Sequence, residues 1–174
     1  VKKKKSKKHL WTEKDLFLIT YADSIKKKNT KNLLCLYDFL NKYCKEFSFI
    51  HVLPFFPYSS DDGFAVKDFK KVNAEHGAWE DFKKISLSFK TMIDLVINHC
   101  SSENKIFIDF LNGSSVMSDF FIVSDKKFKQ LEKIVRPRSS DISKEINLNG
   151  KTKYVWCTFS HDQVDFNFKN PNVL

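Results

Sequence analysis

Short apolar runs alternate with amphipathic segments through the first hundred residues. Apolar side chains dominate Leu16–Tyr21, Phe49–Leu53 and Thr91–Ile97, and each run has the length of a strand. Between them, Asn32–Tyr43 and Trp79–Leu87 carry apolar residues at helical spacing. This order predicts a β-α-β-α-β succession, which is typical of a parallel sheet with right-handed crossovers.

Two of these runs end in polar residues of the kind found in active sites. Thr91–Ile97 is a near-continuous apolar run, which favours a strand buried on both faces, and Asn98-His99 follows it. Phe49–Leu53 leads through a proline-containing loop into Ser60-Asp61-Asp62-Gly63-Phe64. Since α/β sheets and barrels place their sites at the carboxyl ends of strands, Asp61 and His99 become candidate binding residues.

The pattern changes after His99. Asn104–Leu111 and Asp125–Ile134 are helix candidates, and Lys151–Thr158 reads as a strand after an Asn149-Gly150 turn. No further run has the character of a buried parallel strand. The segment is too long for an ordinary connecting loop, so we expect a small domain inserted after the third strand.

Several segments together resemble glycoside hydrolase family 13, the α-amylase superfamily, and within it the sucrose phosphorylase subfamily. The similarity extends from about Leu16 to Leu174 and covers four motifs in the family's order. They are Asp94–His99, Gln163–Asn167, the loop Leu53–Phe64 and the tripeptide Arg136–Arg138.

The resemblance implies an α/β fold, with the first three β/α units of a TIM (β/α)8 barrel and a small inserted B domain after strand three. It places the barrel portion at 11–99, the B domain at 100–168 and the start of barrel helix three at 169–174, and the lysine-rich composition predicts a disordered basic tail at 1–10. Barrels of this type take about 250 residues or more. The chain has 174, so we expect it to be an amino-terminal portion.

The resemblance also implies roles for individual residues. The substrate-binding candidates are Asp61, Phe64, His99, Phe159 and Gln163, which match the pocket that holds the glucosyl unit. A carboxylate can accept two sugar hydroxyls, and aromatic rings pack against the faces of a pyranose. Other interpretations stay open: an Asp61-Asp62 turn, a core histidine at position 99, and core packing for both Phe rings.

Arg138 and four signature residues complete the candidate set. Arg is scarce, since only Arg136 and Arg138 occur among thirty basic residues, and a guanidinium can bind phosphate in bidentate fashion. The resemblance places Arg138 in the acceptor and phosphate subsite, with a surface salt bridge as the alternative. Four residues are expected to brace the signature segments: Asp94, Asn98, Asp165 and Asn167.

The catalytic carboxylates of the family have no counterpart in these residues. In the family, the nucleophilic Asp is the last residue of an Arg-x-Asp motif. This motif does not occur in the sequence, so we expect the nucleophile and the acid/base residue beyond Leu174. The function implied is that of a retaining α-glucoside phosphorylase acting on a glucoside and inorganic phosphate, inactive as this portion alone. Alternatives are a family 13 α-glucosidase or transglucosidase, or an inactive carbohydrate-binding domain. Sucrose, sucrose 6-phosphate, glucosylglycerate and glucosylglycerol remain possible donors.

Composition narrows the partners. Six of the first eight residues are lysine, and without them the net charge falls from +9 to +3, which does not favour a nucleic-acid surface. The four Cys form no C-x-x-C pair, so we expect reduced thiols, a cytoplasmic location and neither a metal nor another cofactor. The lysine-rich start lacks the apolar region of a signal peptide, and no run suits a membrane span.

Overall fold

The computed structural model describes residues 11–129, 133–136 and 138–173. Residues 1–10, where a basic tail is predicted, lie outside this range. The described residues divide into two compact units. The first contains residues up to Leu53 together with Glu75–Ile93, and the second contains Pro54–Ala74 and the residues from Asp94 onward. No helix of the described part is long and apolar enough to cross a membrane.

The first unit is a three-stranded parallel sheet with two helices. The strands β1 (Phe17–Thr20), β2 (Phe49–Val52) and β3 (Lys90–Ile93) lie in the order β1-β2-β3. The helices α1 (Asn32–Tyr43) and α2 (Trp79–Ser88) follow β1 and β2 along the chain. Both strand pairs are parallel, which confirms the predicted β-α-β-α-β succession.

Periodicity decides which side chains of the first unit are buried. Leu33, Leu36 and Leu40 recur at helical spacing on α1 and are almost fully buried. In β2 the alternate residues Ile50 and Val52 are completely buried. A half-covered sheet follows, because alternate residues of a strand point to opposite faces.

The third strand is shorter and more exposed than the sequence predicts. It ends at Ile93 instead of Ile97, and Met92 is 43% exposed and Leu95 79%. The prediction of burial on both faces is therefore wrong. Among the described residues β3 pairs with β2 alone, and an apolar run of sequence does not determine which elements cover the two faces of a strand. Consequently His99 does not end the third strand but opens a separate one.

In the described residues of the second unit, the strands pair in antiparallel fashion. The strands and the helix of this part are as follows: β4 (His99–Ser101), α3 (Lys105–Leu111), β5 (Val123–Ser124), β6 (Ser143–Leu148), β7 (Lys151–Trp156) and β8 (Gln163–Asp165). β4 pairs with β8, and β5-β7-β6 form a second sheet. Helix α3 begins as predicted, since the Asn104 side chain accepts a hydrogen bond of 2.9 Å from the Ile106 amide.

The β6–β7 hairpin forms around the predicted Asn149-Gly150 turn. Both residues have positive φ, 53° and 75°, as a type I′ turn requires. The predicted helix Asp125–Ile134 is wrong over residues 125–129, which form a bend and a loop, while 130–132 lie outside the described residues. The Phe128 amide donates to the Ser143 hydroxyl at 3.1 Å, so the hairpin engages this backbone in place of a helical turn.

An aromatic cluster forms the core of the second unit. Phe107, Phe110, Phe121 and Phe166 are buried together, with the Phe107 and Phe121 ring centres 4.9 Å apart. Edge-to-face and offset ring pairs of this kind add to the free energy of plain burial. The cluster gives the short strands β4 and β8 a rigid support.

Candidate functional site

Two signature segments that lie far apart in the sequence pair directly. Strands β4 and β8 are antiparallel, with His99 opposite Asp165 and Ser101 opposite Gln163. The pairing places the His99 ring and the Gln163 amide side by side, with 3.2 Å between their Nε2 atoms. The second unit therefore assembles a site from residues that the sequence only suggested separately.

The loop that carries Asp61 has an unusual backbone. Asp61, Asp62 and Gly63 have successive φ values of 55°, 49° and 108°, all in or near the left-handed region. Such values are uncommon for residues other than glycine. A Cβ on Gly63 would stand 2.4 Å from the Pro54 carbonyl oxygen, so the turn requires glycine there. Both aspartates thus turn the chain, and a binding role for Asp61 is compatible with its turn geometry.

The Asp61 carboxylate receives two side-chain donors. Gln163 Nε2 donates to Oδ2 at 2.9 Å, and Arg138 Nη2 lies 3.3 Å from Oδ1. Gln163 is 1% exposed, and its own Oε1 accepts from the Ser160 hydroxyl at 2.9 Å. The Asp61 and Arg138 side chains keep 34% and 48% of their surface exposed. The ion pair therefore lies at the accessible side of the cluster, with the amide beneath it.

His99 is held in one neutral tautomer. Its Nε2 lies 2.9 Å from the Phe64 carbonyl oxygen, which can only accept, so Nε2 carries the proton. The Asn98 amide nitrogen then donates to Nδ1 at 2.8 Å. Burial lowers the pKa of His99, and the Phe64 carbonyl and the carboxylates of Asp165 and Asp61 offset this only in part. Since both nitrogens serve neutral-state bonds, the imidazole is uncharged at neutral pH.

The two candidate aromatic residues differ in placement. The Phe159 ring lies 5.2 Å from the His99 ring at a tilt of 54°, so it flanks the polar cluster. Phe64 packs against a buried group of Phe56, Val66 and Val96 and contributes its carbonyl to His99. The geometry therefore favours Phe159 as an aromatic side of the candidate site, and it favours core packing for at least part of the Phe64 ring.

The signature residues brace the chain around the site. The Asn98 carbonyl accepts from the Phe166 amide at 3.0 Å, and the Asn167 side chain donates to the Asp119 carbonyl at 3.1 Å. The Asp165 side chain accepts from the Thr158 hydroxyl.

Burial raises the pKa of Asp165, although the bonds from Thr158 and the neighbouring His99 oppose the shift. Asp94 is half-buried at the start of this segment and has polar partners of its own.

Sequence reasoning missed Asp162. Its carboxylate accepts hydrogen bonds from three hydroxyls, Ser59 and Ser60 at 2.5 Å and Ser102 at 2.7 Å. The only signals in the sequence were the position of Asp162 beside the Gln163 motif and the Ser-Ser pair before Asp61. Serines are common in loops, so neither signal pointed to a shared carboxylate.

The arrangement combines an accessible carboxylate, a guanidinium and an aromatic edge. A carboxylate accepts from hydroxyl groups, a guanidinium donates to anions, and a ring covers an apolar face. Within the described part of the chain, no group of three or more His, Cys, Asp or Glu residues is arranged to hold a metal ion. The chemistry present suits a polyhydroxylated ligand with an anionic neighbour.

Known proteins are similar to this chain in sequence and in fold. The glucosylglycerate phosphorylase of Spirochaeta thermophila is 44% identical over 161 residues, covering 92% of this chain and 27% of that protein. The glucosylglycerate phosphorylase of Allomeiothermus silvanus is 42% identical over 165 residues, covering 94% and 30%. The chain thus spans less than a third of the length of these relatives.

A solved structure agrees with them. The crystal structure of sucrose 6F-phosphate phosphorylase from Thermoanaerobacter thermosaccharolyticum superimposes with a TM-score of 0.82 at 31% identity, covering 94% of this chain and 36% of that one. The protein-family model described as "Alpha amylase, catalytic domain" matches residues 37–174, which is most of the chain and includes every candidate site residue. The chain therefore belongs to the α-amylase family, glycoside hydrolase family 13.

Proposed function

We propose that this chain supplies the glucosyl-binding part of a retaining α-glucoside phosphorylase. The observation that carries the proposal is the convergence of Asp61, His99 and Gln163, flanked by Phe159. Gln163 donates to the Asp61 carboxylate, and its amide lies 3.2 Å from the His99 ring. Three separate segments contribute to it. The segments of His99 and Gln163 match signatures of family 13, and the loop that carries Asp61 resembles the phosphorylase subfamily. The similarity to named phosphorylases supports the same reaction class.

The proposed reaction transfers a glucosyl group to phosphate in two displacements. An enzyme carboxylate attacks the anomeric carbon while a carboxylic acid gives its proton to the departing oxygen, which forms a covalent glucosyl-enzyme. A phosphate oxygen then attacks the same carbon and releases the carboxylate, giving α-glucose 1-phosphate with retained configuration. In this proposal the two carboxylates lie outside the 174 residues, and the present residues hold and orient the sugar.

Each site residue then has a defined task. The Asp61 carboxylate accepts sugar hydroxyls in exchange for its contact with Arg138, and Gln163 keeps that carboxylate oriented. The released guanidinium of Arg138 is free to bind the incoming phosphate. Neutral His99 fixes the Phe64 carbonyl, and hence the Asp61 loop, against β4.

The proposal extends to architecture and donor. Strands β1 to β3 with α1 and α2 correspond to the first units of a (β/α)8 barrel, and residues 100–168 correspond to the inserted B domain. Glucosylglycerate is the favoured donor, since the glucosylglycerate phosphorylases are 44% and 42% identical and a sucrose 6(F)-phosphate phosphorylase is 36% identical.

The test is a product assay on the full-length gene product. The protein is incubated with glucosylglycerate, sucrose or sucrose 6-phosphate, each with and without phosphate, and glucose 1-phosphate and free glucose are measured. Phosphate-dependent glucose 1-phosphate, lost in Asp61→Ala, supports the proposal. Free glucose at the same rate without phosphate would indicate a hydrolase. Sugar binding without any product would indicate a binding domain.

A further inference from the structure

A single carboxylate gathers hydroxyls from two other segments of the second unit. Ser59 and Ser60 both donate to Asp162 Oδ2 at 2.5 Å, and Ser102 donates to Oδ1 at 2.7 Å. Because the Ser59 proton is used in this way, Ser101 donates to the Ser59 oxygen across 2.6 Å. We name these five residues the serine clamp. It joins the chain before Asp61, the end of β4 and the start of β8.

The clamp keeps its carboxylate ionised. Burial raises the pKa of Asp162, but the three serine hydroxyls and the Ser102 backbone outweigh it, so the pKa lies below its usual range. An ionised carboxylate is an acceptor only, and hydrogen bonds to a charged acceptor are stronger than those between neutral groups. The clamp is therefore a strong attachment under neutral conditions.

The clamp acts on the residues immediately before a strained turn. Asp61 and Asp62 follow Ser60 directly and have φ values of 55° and 49°. Left-handed conformations of residues other than glycine persist only where their surroundings enforce them. The turn is closed by a bridge between Tyr58 and Val66. Between these two residues, the Ser59 and Ser60 hydroxyls attach the backbone that enters the turn to Asp162, the residue before β8.

We propose that Asp162 is a positioning residue that holds the Asp61 carboxylate in its binding orientation through Ser59 and Ser60. This inference rests on the proposed function, in which Asp61 binds the glucosyl unit. Asp162 and its neighbour Gln163 hold different parts of the Asp61 loop. Asp162 fixes the backbone of the Asp61 loop, and Gln163 fixes the Asp61 side chain itself.

The kinetic test is a double-mutant cycle in the full-length gene product. Asp162→Ala should lower kcat/KM for the glucoside by about ten- to a hundredfold, the effect of losing charged hydrogen bonds. In an Asp61→Ala background the same substitution should cost less than about threefold, because residues that act through one another are not additive. Equal losses in both backgrounds would overturn the proposal, since Asp162 would then act independently of Asp61.

Controls separate positioning from general damage. Asp162→Asn keeps one acceptor oxygen and the side-chain shape, so its kcat/KM should lie between the values of the wild type and Asp162→Ala. Asp109→Asn is the matched control, because Asp109 is a carboxylate of the same unit that pairs with Lys105 on α3 at 2.8 Å. It should keep wild-type kinetics.

Hydrogen exchange tests the clamp without any turnover. The amides of Phe64 and Ala65 donate to carbonyls of Asp61 and Ser60, within the loop. In Asp162→Ala they should exchange at least about tenfold faster, while the β6–β7 hairpin amides stay unchanged. Unchanged loop exchange would overturn the inference even if the protein proved inactive. Inactive wild-type protein with accelerated loop exchange would count against the proposed function alone.

Discussion

The substitution Arg138→Ala separates an acceptor-site role from a surface salt bridge. In the structure Arg138 Nη2 lies 3.3 Å from Asp61 Oδ1, with both side chains partly exposed. An exposed pair of this kind contributes about 0.2–1 kcal/mol to stability, since solvent screens it and two side chains lose freedom. The free energy of unfolding should therefore change by less than about 1 kcal/mol.

The expected effect on phosphate is larger. Phosphate carries up to two negative charges, and one charged hydrogen bond contributes roughly 1.5–3 kcal/mol. Under the proposed function, loss of the guanidinium from the full-length gene product should raise the KM for phosphate by about ten- to a hundredfold. Hydrolysis of the glucosyl-enzyme should change much less, because water needs no cation. The assay measures the ratio of glucose 1-phosphate to glucose formed from one donor at fixed phosphate.

The other arginine of the chain provides the control. Arg136 Nη1 donates to the Thr158 carbonyl at 2.8 Å, so Arg136→Ala should lower stability by about 1 kcal/mol without a selective effect on phosphate. Arg138→Lys keeps the charge but loses the planar fork, and its phosphate KM should be intermediate. An unchanged product ratio in Arg138→Ala would refute the reasoning and leave Arg138 as a partner of Asp61 only.

Three further predictions concern stability and reactivity. Gly63→Ala should destabilise the protein by more than about 2 kcal/mol in urea unfolding, because the new Cβ meets the Pro54 carbonyl oxygen at a positive φ; unchanged stability would contradict this backbone. Burial raises the pKa of Cys157 to about 12 and also raises that of Cys100, so both thiols should resist an aromatic disulfide reagent until the protein is unfolded; rapid native labelling of either would be inconsistent with their burial. Folding lowers the pKa of His99 from its ordinary value of 6.5, so the unfolded state binds more protons than the folded state between the two pKa values. The free energy of unfolding should therefore fall as the pH drops from 7 towards the folded pKa. His99→Gln should reduce this slope, which thermal unfolding across that pH range measures.

The sequence predicted the features that depend on local interactions. Helix α1 has its predicted bounds, Asn32–Tyr43, because its apolar residues recur at a fixed period. The Asn149-Gly150 hairpin turn formed because few other residue pairs accept two positive φ angles. These features depend on neighbours within one or two turns of chain. The motif resemblance named the candidate site residues, but it assigned them roles and not contacts.

The tertiary structure determined which side chains from distant parts of the sequence come into contact. Gln163 and Asp61 are separated by 102 positions, and so are Asp162 and Ser60, so no local pattern encodes either contact. Burial of an apolar run depends on the layers around it, which is why the Thr91–Ile97 segment was predicted to be longer and more buried than β3 is. Polar side chains of ordinary loop type acquire one specific task only when strand pairing brings their donors and acceptors to hydrogen-bonding distance. The serine clamp is such a case, because the pairing of β4 with β8 brings Ser102 to Asp162, and Ser59 and Ser60 reach the same carboxylate from the loop before Asp61.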